Sequence, residues 1–152
     1  MNTSLEQIQN FLPIYDGLAT AGQPLQDQFA LIAEAGYRVV INLATATSWD
    51  AVANEAEIVN SVGMEYHTIP VLWEAPRLEN LRSFCDLMDS LQGRQVFVHC
   101  ARNMRVSAFV FLYRVKRLGH NLDACRTTMQ LIWQPQGDVW EELINNALEV
   151  VI

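Results

Sequence analysis

Residues 99–107, His99-Cys100-Ala101-Arg102-Asn103-Met104-Arg105-Val106-Ser107, hold the densest collection of reactive side chains in the chain. Cys100 follows the apolar run Gln95-Val96-Phe97-Val98-His99, which has the look of a buried strand. It precedes a stretch from Val106 to Leu118 that is apolar almost all round and so reads as an enclosed helix. A cysteine between a strand end and a helix start meets unpaired backbone N–H groups and the partial positive charge of the helix N-terminus. Arg102 and Arg105 add full positive charges close by. Such surroundings favour a thiolate nucleophile, and the same N–H groups and guanidinium groups suit a phosphate-like anion. The chemistry this points to is nucleophilic attack by sulfur on a bound oxyanion.

The elements that must position this segment can be read from periodicity. Residues Gly17 to Pro24 are turn-rich, and a helix follows with Leu25, Phe29, Ile32 and Ala33 on its apolar face, ended by Gly36. Arg38 to Leu43 reads as a buried strand, about Ala51 to Val62 as a helix ended by Gly63, and Glu65 to Val71 as another strand. Leu78, Leu81, Phe84, Cys85, Met88 and Leu91 fall at helical spacing. Beyond the enclosed helix, Asn121 opens a helix carrying Leu122, Cys125, Met129 and Ile132. Asp138 with Glu141 has the spacing of a capping box for a last helix. Strands alternating with helices predict an α/β fold: three layers, a largely parallel central sheet with helices on both faces, and an all-helical C-terminal part. Residues 1–152 are expected to form a single domain, since no repeat or low-complexity linker divides them.

Composition narrows the functional classes. The net charge of −7 disfavours nucleic acid as a partner. No apolar run approaches the roughly 20 residues needed to cross a bilayer, so no membrane partner is expected. Three scattered cysteines, Cys85, Cys100 and Cys125, and the lack of a leader pattern at Met1-Asn2-Thr3-Ser4 point to a reducing cytoplasm. Cys85 and Cys125 lie on apolar faces and read as core, as Trp49, Trp73 and Trp133 do, with Trp73 the best placed of the three to line a pocket. His67 and His120 read as structural, and Arg114, Lys116 and Arg117 as a solvated helix face. No metal or organic cofactor is implied, and nothing here sets the oligomeric state.

Several segments resemble the bacterial branch of the protein tyrosine phosphatase superfamily, close to its dual-specificity type. They are Ala21-Gly22-Gln23-Pro24, Gly36-Tyr37-Arg38-Val39-Val40-Ile41-Asn42-Leu43, His67-Thr68-Ile69-Pro70-Val71, and Val98-His99-Cys100 with Ser107 downstream, within roughly residues 14–132. The resemblance implies a cysteine-phosphatase fold and hydrolysis of a phosphate monoester through a cysteinyl-phosphate. Cys100 would be the nucleophile, His99 would orient the loop, and the backbone of Ala101, Arg102, Asn103, Met104, Arg105 and Val106 would cradle the phosphate. Ser107 would assist release of the thiol-phosphate, and the ligand would be a phosphorylated small molecule or phosphoprotein.

Two departures from the family pattern stand out. Four residues, not five, separate Cys100 from Arg105, so either Arg105 is the gripping arginine or Val106 stands in its place. Asn103 sits at the loop apex where a small residue or glycine is usual, and tolerates left-handed backbone angles better than most residues do. The expected aspartate after Val71 is missing, and Glu74 is the nearest acid able to protonate a leaving group. The short Cys-to-Arg spacing also matches rhodanese-like sulfurtransferases, and a pseudo-phosphatase that binds without turnover is a further alternative.

Overall fold

Four-residue strands, buried on both faces at the centre and partly exposed at the edges, build the sheet. In the computed structural model, which describes residues 2–152, five strands run β1 (Leu12–Tyr15), β2 (Leu18–Ala21), β3 (Val39–Asn42), β4 (Glu65–Thr68) and β5 (Val96–His99). They lie in the order β1-β2-β5-β3-β4; β1 is antiparallel to β2 and the other pairings are parallel. Successive side chains point to opposite faces, which separates two cores. Leu18, Val39, Ile41, Val96 and Val98 face one way, onto α3 (Leu78–Ser90), α4 (Met104–Lys116), α5 (Leu122–Gln130) and α6 (Val139–Glu149). Ala19, Ala21, Val40 and Phe97 face the other way, onto α1 (Gln28–Glu34), α2 (Glu55–Ser61) and Leu5 and Ile8 near the N-terminus. The three-layer α/β architecture with a helical C-terminal part is the one the pattern predicts.

Helix α4 is the centre of the larger core. Nine consecutive residues, Arg105 to Tyr113, are buried, because α3, α5 and α6 all pack around it. Asn121 and Asp138 cap α5 and α6 as expected: Asn121 Oδ1 accepts from the Ala124 N–H, and Asp138 Oδ1 from the N–H groups of Trp140 and Glu141. Glu141 turns to the Gly137 N–H and not to that of Asp138, so the box is completed one residue earlier.

The structure corrects the sequence expectation in four places. Within the turn-rich segment 17–24, residues 18–21 form β2, a fully buried strand paired on both sides. Its two alanines and flanking glycines carry little strand signal, and its place between β1 and β5 decides its state. Leu25 lies ahead of α1 and is 64% exposed. Ala51 and Val52 precede α2, which begins at Glu55 after Asn54 takes a left-handed φ of 61°. Arg114, Lys116 and Arg117 are half-buried and engaged: Arg117 pairs with Asp86 and Asp89 of α3, Lys116 donates to the Leu148 carbonyl, and Arg114 stacks over Tyr15.

Candidate active site

The loop after β5 is fixed by its carbonyl groups. The Cys100 carbonyl lies 3.2 Å from His99 Nδ1, the Ala101 carbonyl accepts from the Gln23 N–H at 3.0 Å, and the Arg102 carbonyl accepts from Asn10 Nδ2 at 2.9 Å. Three successive carbonyls are thus taken up by the surrounding scaffold. Asn103 adopts a left-handed φ of 67°, which an asparagine accepts at small cost. Its buried Nδ2 donates to the Asn10 carbonyl and to Thr20 Oγ1, tying the loop apex to β2. The first bond of α4 then runs from the Ser107 N–H to the Asn103 carbonyl at 2.8 Å. The N–H groups of Met104, Arg105 and Val106 therefore have no acceptor within the helix. Gly22 passes so close to this loop that a Cβ there would sit 2.8 Å from the Ala101 carbonyl oxygen.

Beside this loop lies a cavity of about 410 Å³. Its floor is Cys100, Ala101, Arg102, Met104 and Arg105; Thr45, Thr47, Ser48 and Trp49 form one wall, and Leu72, Trp73 and Glu74 the other. Cys100 is 1% exposed at the floor. Arg105 is buried and one guanidinium N–H donates to the Val71 carbonyl at 2.8 Å, leaving its other donors for the cavity. Arg102 is exposed, its guanidinium carbon 5.6 Å from the centre of the Trp49 ring. Helix phase separates the two arginine alternatives: Arg105 reaches the cavity, while Val106 points into the core.

The remaining candidates are spread more widely. Glu74 is exposed and lines the same cavity as the loop. Ser107 does not line the cavity; its hydroxyl donates to the Met104 carbonyl and accepts from Trp133 Nε1, both at 3.0 Å. Trp49 is 80% exposed and forms part of the cavity wall, not the core. Trp73 packs at 5.3 and 5.5 Å from the rings of Trp133 and Trp140, and its carbonyl accepts from Trp140 Nε1 at 2.8 Å. The segment carrying Glu74 is therefore held at two carbonyls, Val71 by Arg105 and Trp73 by Trp140. Cys85 and Cys125 are free and buried in the core. His67 pairs with Glu65, and His120 accepts from Arg114, both away from the cavity.

Sequence reasoning missed Glu55. This carboxylate, 6% exposed, receives Gln23 Nε2 at 2.7 Å, Asn42 Nδ2 at 3.2 Å and the Tyr66 hydroxyl at 2.8 Å, and stands 2.7 Å from His99 Nε2. Burial on its own would raise the Glu55 pKa. The hydrogen bond and charge of His99, with the bonds from Gln23 and Tyr66, outweigh it and hold the carboxyl below its ordinary range. Burial, chiefly, raises the Tyr66 hydroxyl. The only local signal was a set of polar residues at turns and strand ends, Gln23, Asn42 and His99, with no indication that one carboxylate joins them.

Comparison with known proteins decides the family. Residues 4–141 match the family model described as DSP-PTPase phosphatase fused to NAD+ kinase. The chain belongs to this family. A DUF442 protein from Shewanella putrefaciens CN-32, described as a candidate phosphatase, is 34% identical in sequence; the match covers 97% of this chain and 96% of that one, with a TM-score of 0.87. Pseudomonas aeruginosa TpbA in complex with pTyr shares the fold at 14% identity, covering 93% and 91% of the two chains with a TM-score of 0.67. PTPMT1 in complex with PI(5)P does so at 15% identity, covering 91% and 84% with a TM-score of 0.72. No curated protein matches the sequence. No helix among the described residues is long and apolar enough to cross a membrane.

Proposed function

We propose that the protein hydrolyses a phosphate monoester through a cysteinyl-phosphate on Cys100. One observation carries this: Cys100, Arg102, Arg105 and the N-terminus of α4 line one cavity, and Glu74 lines it too. The ester's phosphate rests against the N–H groups of the loop and first turn, where helix dipole and guanidinium charge offset its own. The Cys100 thiolate attacks phosphorus; the S–P bond forms as the bond to the leaving oxygen breaks, and Glu74 gives that oxygen its proton. Water then attacks the phosphorus and returns a proton to Glu74, the S–P bond breaks, and inorganic phosphate leaves with the thiolate restored.

Arg105 is the inner clamp on the phosphate oxygens and Arg102 the outer one. His99 holds the Cys100 carbonyl and so the nucleophile's backbone. Ser107, whose hydroxyl is engaged with Met104 and Trp133, steadies the first turn of α4 and takes no part at the sulfur. Asn103 and Val106 offer the phosphate backbone only, while the Asn103 side chain ties the loop apex to β2. The ligand class is a phosphorylated small molecule or a phosphoprotein, in keeping with the pTyr and PI(5)P bound by TpbA and PTPMT1. Free, buried cysteines suit a reducing cytoplasm.

The test is para-nitrophenyl phosphate hydrolysis by the wild-type chain and by Cys100→Ser and Glu74→Gln. Turnover abolished in Cys100→Ser, with the pH profile altered in Glu74→Gln, is expected. Cyanide-dependent thiocyanate formation from thiosulfate with no phosphatase turnover would overturn it in favour of sulfur transfer. Phosphate protection of Cys100 from alkylation without any hydrolysis would reduce the site to binding.

A further inference from the structure

The Glu55 cluster has one arrangement of protons that satisfies every partner. Asn42 Oδ1 accepts from the Ala44 N–H, so its Nδ2 is the atom facing Glu55 and Tyr66. Gln23 Nε2 faces both the Pro24 carbonyl and Glu55, and a carbonyl can only accept, so the amide is likewise fixed. The Tyr66 hydroxyl accepts from Asn42 and gives its own proton to Glu55. Three donors from three separate segments therefore converge on a buried carboxylate, the surroundings of an ionised group.

His99 is fully buried between that carboxylate and the loop. Its Nε2 lies 2.7 Å from Glu55 Oε2, and its Nδ1 lies 3.2 Å from the Cys100 carbonyl. Neither oxygen has a proton to give. A neutral imidazole would turn a bare nitrogen toward one of them, two lone pairs facing each other in a dry site. The Phe29 ring, 6.1 Å from the imidazole, offers it no proton either.

We propose that Glu55 is a positioning residue for Cys100, holding His99 as a doubly protonated ring whose second N–H fixes the Cys100 carbonyl. The carboxylate and the imidazolium form a buried pair directed along the axis from α2 to the cavity floor, with the cationic end next to the sulfur-bearing residue. Three further segments supply the pair's surroundings: Gln23 before α1, Asn42 of β3 and Tyr66 of β4. The α1–α2 face of the sheet is thereby tied to the geometry of a loop whose helix packs on the opposite face. The inference extends the proposed mechanism by giving His99 a charge state and a partner, but the proton count does not depend on hydrolysis.

Ring nitrogen NMR of the ¹⁵N-histidine-labelled wild-type protein at pH 7 tests it without any substitution. Assignment is made against His99→Gln, and both ring nitrogens of His99 are expected to carry protons. A single bare nitrogen on His99 overturns the proposal. Glu55→Gln is expected to remove one of the two ring protons and to slow iodoacetamide alkylation of Cys100 by several-fold. Tyr66→Phe, which leaves the bond between Glu55 and His99 in place, keeps both ring protons. A folded Glu55→Gln that retains both protons and the wild-type alkylation rate also overturns the proposal. If Glu55→Gln does not fold, the wild-type spectrum decides alone. Absence of phosphatase turnover with both ring protons present refutes the hydrolase function and leaves this inference standing.

Discussion

Replacing Gly22 by alanine separates loop geometry from general stability. The added Cβ would lie 2.5 Å from Gln9 Cγ and 2.8 Å from the Ala101 carbonyl oxygen. The first contact is cheap to relieve, because Gln9 is an exposed, flexible side chain held to Asp50 by a contact of only 3.5 Å. The second is not, since the Ala101 carbonyl is backbone and is held by the Gln23 N–H at 3.0 Å. Restoring ordinary contact requires the loop to shift by about 0.5 Å. Overpacking of this kind costs about 1–3 kcal/mol, or a fall in Tm of several degrees for a chain of this size. A misplacement of about 1 Å at a reacting group costs on the order of 10²-fold, so half that displacement at the residue after Cys100 is expected to lower kcat/KM by about tenfold. The control is Gly36→Ala: Gly36 has a φ of 106° and nothing within 4 Å of the new methyl, so backbone strain alone lowers Tm. Thermal melts and steady-state hydrolysis of para-nitrophenyl phosphate on both variants make the comparison. Gly22→Ala with wild-type kcat/KM, or Gly36→Ala with an equal loss of activity, would refute the argument.

Other outcomes follow from the packing and the charges. Because Glu55 is held below its ordinary value of 4.5, its stabilisation is complete above that pH and is lost as pH falls through the folded-state value. Glu55→Gln is expected to be less stable by about 3 kcal/mol at pH 7, with the gap in Tm closing on acidification; a gap independent of pH would contradict this. Burial pushes the Cys85 thiol up to about 12 and also raises Cys125, so native protein is expected to take up iodoacetamide at Cys100 alone, and labelling of Cys85 at a comparable rate would count against it. Trp140→Phe keeps the ring packing but deletes the bond to the Trp73 carbonyl. It is expected to cost about 1 kcal/mol and to lower kcat more than it changes KM, because the Glu74 segment loses its hydrogen-bonded anchor at the Trp73 carbonyl.

The elements legible in the sequence are those whose signal is local. The apolar face of α3, the all-round apolar character of α4 and the short runs of β3 and β5 each state their own burial. Cys100 was legible because a strand end, a helix start and two arginines fall within a few residues of it. β2 was not legible, because Leu18-Ala19-Thr20-Ala21 gains its strand character from pairing with β1 on one side and β5 on the other. The choice between Arg105 and Val106 needed the helix phase, which Asn103 sets by ending the loop in a left-handed conformation. Glu55 was hidden for a different reason. Its four partners are 11 to 44 residues away in sequence, and only the sheet order brings them to one carboxylate. Trp49 shows the reverse error: a large apolar residue suggests core, but the short 45–50 segment leaves it on the cavity wall.

The central claim is that Cys100 carries the phosphoryl group during turnover. Acid-quenching the protein while it turns over para-nitrophenyl phosphate, then digesting and mapping it by mass spectrometry, tests this directly. One phosphoryl group is predicted, on the peptide containing Cys100 and on no other, absent from Cys100→Ser. Hydrolysis that continues with Cys100 unmodified, or that survives in Cys100→Ser, would contradict the account.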